Sequence, residues 1–134
     1  MLTIGAERPV KMKDLPPPVR KAVDKQIHGA TLKGVTKEIE RGKTLYEVET
    51  VANGKTRDLV LDSAGALIEV EQEVDLGSIP APAKAAIETY AKGGKIDKVE
   101  TLTKGDVVMY EAAIRKGVKK SEVTVAADGT VQKK

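Results

Sequence analysis

Six carboxylates recur through one stretch of the chain: Glu47, Glu49, Asp58, Asp62, Glu69 and Glu71. Residues two apart on a strand share a face, so these side chains make one acidic face. On it Glu49, Asp58 and Glu71 are expected to form a row across three strands, flanked by Glu47 and Glu69. An acidic row has two chemistries open to it. It can meet the basic groups of a protein partner, or it can gather a hard cation such as Ca²⁺ through oxygen ligands. A solvated face with no partner is the plainer reading. Asp62-Ser63-Ala64-Gly65 superficially looks like a calcium loop. It lacks the ligand spacing and the terminal Glu of an EF-hand, and a plain turn accounts for it.

No reaction centre assembles around the row. His28 falls at the end of a helical stretch, where a capping or dipole role suffices. Ser63, Ser78 and Ser121 sit in turn or loop sequence, none of it a nucleophile elbow. Tyr46 and Tyr110 fall on inward positions and read as core residues with hydrogen-bonded hydroxyls. No Gly-rich phosphate loop or cleft-forming insertion is present to hold a substrate. The expectation is a protein that is not an enzyme, with no catalytic residue, resident cofactor or dedicated metal site.

The elements that position the row follow from two turns between Thr44 and Val70. Asn53-Gly54 is a strong hairpin signal, since a type I′ turn needs positive φ at both central residues. Ala64-Gly65 marks a second tight turn. Two-residue loops at both places pair Tyr46 with Leu61 and Val48 with Leu59, and set Ile68 and Val70 beside them. All six apolar side chains then share one face, the agreement that fixes register in a sheet buried on one side. The carboxylates take the other face.

Upstream, Asp14 to Gly29 carries Leu15, Val19, Ala22, Val23 and Ile27 on one helical stripe, with Pro16, Pro17 and Pro18 in its lead-in and first turn. Ala30 to Glu40 reads as a strand with Val35 and Ile39 inward and Lys37 between them, snorkelling at an edge. Residues 1–13 read as a tail. Beyond Val74 the pattern returns at an offset of 64 residues: Pro16 falls on Pro80, Ala22 on Ala86, Val35 on Val99, Tyr46-Glu47 on Tyr110-Glu111 and Gly65 on Gly129. The second helical stripe is Ile79, Ala83, Ala86, Ile87 and Tyr90. This predicts an α+β fold, a tandem repeat of two helix-plus-antiparallel-sheet units, αββββ each, with helices packed on one face of the sheet. The units span 14–74 and 75–134 and are expected to share one compact domain, because about 60 residues bury little surface alone. The second unit's outward positions, Ala113, Glu122 and Arg115, predict a face that is not acidic.

Composition narrows the function classes. The 134 residues contain no Cys, Trp or Phe, so disulfides and thiolate metal sites are excluded and the core rests on Val, Leu, Ile, Ala and three Tyr. Absence of Cys suits the cytoplasm and the bacterial envelope equally. The formal charge of +3 comes from 23 basic and 20 acidic side chains spread along the chain. Without aromatics beside the lysines this is a poor footprint for nucleic acid. No apolar run is long enough to form a transmembrane segment, and residues 1–13 lack the apolar middle of a signal peptide.

The sequence resembles the PepSY-like family, and within it the tandem β-lactamase-inhibitor-like branch. The resemblance rests on Leu15-Pro16-Pro17-Pro18-Val19, Tyr46-Glu47 and Asp62-Ser63-Ala64-Gly65-Ala66-Leu67, and again on Ile79-Pro80-Ala81-Pro82, Tyr110-Glu111 and Asp128-Gly129-Thr130-Val131. It covers nearly everything after Lys13. It implies a periplasmic or secreted bacterial protein, its signal peptide removed, that binds another protein or modulates a peptidase, and it brings no catalytic residue.

Overall fold

The computed structural model describes residues 6–132. Its strands and helices run β1 (Ala6–Pro9), α1 (Pro17–Gln26), β2 (Thr31–Glu40), β3 (Lys43–Ala52), β4 (Lys55–Asp62), β5 (Leu67–Val74), α2 (Ala81–Tyr90), β6 (Lys95–Lys104), β7 (Val107–Lys116) and β8 (Lys119–Val125), with short 3-10 turns before each helix. The strands form one eight-stranded sheet in the order β1 to β8. This overturns the expected tandem of αββββ units. Residues of the expected tail supply an additional strand, β1, which pairs antiparallel with β2. Among the described residues after α2, three strands form, and past the Asp128-Gly129 turn the chain returns through a bridge from Val125 to Val131. Pairing with β1 covers an edge that β2 would otherwise present to solvent, which is the physical reason the expected four-strand unit gains another strand. The chain divides into two compact units, one reaching to Glu71 and the other starting at Gln72.

In the first unit, Asn53 and Gly54 have φ of 54° and 76°, the I′ geometry that matches strand twist. Tyr46 opposes Leu61 and Val48 opposes Leu59, as the alternation requires. The next turn is one residue longer than two. The Asp62 N–H donates to the Ala66 carbonyl and the Gly65 N–H to the Asp62 carbonyl, leaving Ser63, Ala64 and Gly65 in the loop. Gly65 takes φ of 84°, and a Cβ there would lie 2.5 Å from the Pro18 carbonyl oxygen. The first turn of α1 is thus docked directly on that loop. Pro17 and Pro18 occupy N1 and N2, where a missing amide donor costs nothing.

Leu15, Val19 and Val23 pack on Val35, Tyr46, Val48, Leu59 and Leu61. Ile27 lies at the margin as the helix C-cap. Ile39 was expected inward but is 47% exposed, because it pairs with Thr44 at the far end of its hairpin. Lys37 is not at an edge, since β1 lies outside β2 and sets Arg8 opposite it.

In the second unit Ala83 and Ile87 of α2 pack on Val99, Ala112, Ile114, Val123 and Val125. Tyr90 leaves the expected stripe. It is 41% exposed, with the Lys116 ammonium 5.9 Å from its ring centroid. No helix of the described residues is long and apolar enough to cross a membrane.

Candidate functional site: a carboxylate cluster on the helix-free face

Because Glu47 alternates with Tyr46 and Val48, it points away from α1. Glu49 of β3 is the Cα partner of Asp58 on β4, and Glu47 is the partner of Val60. β5 brings Glu71 to the same place. One carboxylate oxygen each from Glu47, Asp58 and Glu71 lies within 4.8 Å of the others. This is no solvated row: Glu47 is 8% exposed and Glu71 2%. Burial, then the neighbouring charge of Glu71, then that of Asp58, pushes the Glu47 carboxyl up to about 7.

The other predicted residues do different things. Asp62 spends one oxygen on the turn, accepting from the Ala64 and Ala66 N–H groups at 2.9 Å. Glu49 is exposed and Glu69 half-buried, and neither joins the cluster of three. His28 is exposed beyond the end of α1, and Ser63 and Ser78 lie exposed in turns.

Two acidic features escaped the sequence reading. Glu38 of β2 is fully buried on the same face, its cross-strand partner being Leu45, two residues from Glu47. The second unit also holds a carboxyl pair, Glu111 and Glu122, so its face is not free of acid. Glu111 is pushed up to about 7 by burial first, then by a carboxyl–carboxyl hydrogen bond and repulsion with Glu122. The Thr124 hydroxyl donates to Glu111 Oε2 at 3.3 Å and pulls the other way. Glu111 follows Tyr110 as Glu47 follows Tyr46, so the 64-residue offset held the signal. Chemically, both places offer carboxyls that take up or release a proton near neutrality. The first also offers three convergent oxygen donors.

No protein-family profile matches the sequence, and a search of curated proteins returns no match. Solved structures do share the fold. A protein of Bacteroides eggerthii described as periplasmic superposes with a TM-score of 0.72 at 16% identity, over 89% of this chain and 86% of its own. A DUF2874 family protein of Bacteroides ovatus gives 0.68 at 16% identity, over 89% and 85%. A BLIP-like protein of Bacteroides fragilis gives 0.63 at 19% identity, over 90% and 87%. At such identity the likeness is one of fold. It sits with the β-lactamase-inhibitor-like side of the resemblance, and none of these three is described as PepSY-like.

Proposed function

We propose that this chain is a non-enzymatic binding module of the bacterial envelope, periplasmic or secreted, that engages another protein through the helix-free face around Glu47, Glu49, Asp58, Asp62, Glu69 and Glu71. The observation that carries this reading is the convergence of Glu47, Asp58 and Glu71 in a chain of net charge +3. Three carboxylates crowded at low exposure repel one another, and a cationic side chain from a partner relieves that repulsion. A fold shared with periplasmic and BLIP-like structures agrees with it.

The test is capture from an envelope extract by the parent chain and by a variant carrying Glu49→Lys, Asp58→Asn and Asp62→Asn. A partner held by this face is lost from the variant and released from the parent by salt. Equal capture by both chains at every ionic strength rules the face out.

The cluster also favours a second reading, a hard divalent cation held by the same oxygens. Calorimetric titration with Ca²⁺ separates the two. Saturable heat that disappears in Glu71→Gln supports the cation, and no heat beyond dilution removes it.

A further inference from the structure

On the opposite face of the first unit, between β1, β2, β3 and the 3-10 turn Met12–Asp14, lies a recess of about 390 Å³. Its lining includes Arg8, Lys11, Lys37, Asp14 and Tyr46. We infer that this recess is a binding site for an oxyanion, the carboxylate or phosphate group of a small molecule or chain terminus.

The placement of the basic groups is costly without such a ligand. Arg8 and Lys37 are direct cross-strand partners, and like charges directly opposed weaken a sheet. Lys37 takes an inward position beside Tyr46, where the alternation with Val35 calls for an apolar residue. Among the described residues none of Arg8, Lys11 and Lys37 makes an ion pair. Tyr46 is 5% exposed overall and lines the recess, where its hydroxyl can donate to a bound oxyanion. Three cations against the single carboxylate of Asp14, with a phenolic donor at the base, match an oxyanion in charge and in donor supply. The volume is in the range of small-molecule sites.

The second unit is an internal control. Counterparts 64 residues on from Lys11, Asp14 and Lys37 are Asp75, Ser78 and Thr101, so the basic set is particular to the first unit. Thr101 opposes Tyr110 where Lys37 opposes Tyr46.

The experiment is an amide-resolved NMR titration of the full chain at fixed ionic strength. The probes are inorganic phosphate, N-acetyl-glycylglycine with its free carboxylate, and the same dipeptide as its C-terminal amide. Saturable shifts confined to the surroundings of Arg8, Lys11, Lys37 and Tyr46 are expected with phosphate or the free acid and not with the amide. Whichever anion saturates at lower concentration identifies the source. Lys37→Met and Arg8→Met should each weaken binding at least about tenfold, and Tyr46→Phe about threefold, since charge-assisted bonds are the strong ones. Lys37→Met should hold or raise the melting temperature, because it removes an inward charge. Arg8→Met alters only an exposed side chain, so its loss of binding cannot be laid to unfolding. Lys13→Met, at an exposed neighbour outside the lining, should change nothing. The inference is overturned if neither anion saturates, if the amide binds as well as the acid, or if Lys13→Met weakens binding as much as Lys37→Met.

Discussion

The two units agree on the side their helices cover and differ on the other. Val23 and Ile87, 64 residues apart, are both fully buried beneath their helices. Gly65 and Gly129 both take positive φ and both abut the carbonyl of a first-turn proline, Pro18 or Pro82. On the helix-free faces Glu47 and Glu111 reach the same value, about 7, by different means. Burial leads in both. Glu47 adds repulsion from three further carboxylates, Glu71, Asp58 and, least, Glu49, whereas Glu111 shares a hydrogen bond with one and accepts another from Thr124. Packing positions tolerate little variation, while a polar face can hold one proton affinity with different neighbours.

The agreement is tested hardest in the cores. Ile87→Ala should destabilise by about 2–5 kcal/mol and Val23→Ala by about 2, in proportion to the methylenes removed and the cavity left. Denaturant midpoints for both variants check this. A loss below about 1 kcal/mol at both would show that the helices do not seal their sheets.

Next come the turns. Gly65→Ala meets a left-handed φ and a carbonyl oxygen 2.5 Å from the new Cβ, against 2.8 Å at Gly129. The expected losses are about 3 and about 2 kcal/mol, read as melting shifts, with the order as informative as the size. The reverse order would show that the Gly65 loop yields more readily than its contact with Pro18 implies.

Much of the first unit was legible because local signals agreed with one another. Asn53-Gly54 fixed a loop of two residues, and period-two alternation then set Tyr46 against Leu61 and Val48 against Leu59. β1 was illegible because Ala6-Glu7-Arg8-Pro9 has neither alternation nor β-branched residues. Its proline suits only a sheet edge, and pairing with β2 creates the strand. In the candidate site the residue types and their common face could be read. Their depth could not, because exposure of Glu47 and Glu71 depends on what packs around them and not on spacing.

Proton affinity separates the two faces more finely. Glu47 and Glu111 stand near 7 in the folded chain against an ordinary 4.5, so folding takes up protons between these values. The stability this supplies is complete below about pH 4.5 and is lost as pH rises through 7. Glutamine mimics the protonated carboxyl at every pH. Glu47→Gln should therefore match the parent in acid and exceed it by about 1–3 kcal/mol at pH 8, and Glu111→Gln by about 1–2. Melting curves across pH 4 to 8 would show the gap opening with rising pH. A constant offset would mean that these carboxyls titrate alike in the folded and unfolded chain.

The smallest effect isolates the cause of the difference. Thr124 is the cross-strand partner of Glu111, and Val60, 64 residues earlier, is the partner of Glu47. A hydroxyl that donates to a carboxylate favours its charged form, so the one available to Glu111 is withheld from Glu47. Thr124→Val should raise the Glu111 midpoint further, and Val60→Thr should lower that of Glu47, each by a few tenths of a unit to about one. Val60 is 1% exposed, so the new hydroxyl must find the Glu47 carboxylate or remain unsatisfied. A lowered midpoint and preserved melting temperature report the bond, whereas a fall in melting temperature with the midpoint unmoved reports a hydroxyl buried alone. Carboxyl carbon shifts followed by NMR give both midpoints directly. If the two substitutions moved their midpoints in the same direction, the cross-strand hydroxyl would not be what distinguishes the faces, and the number of neighbouring carboxylates would carry the difference instead.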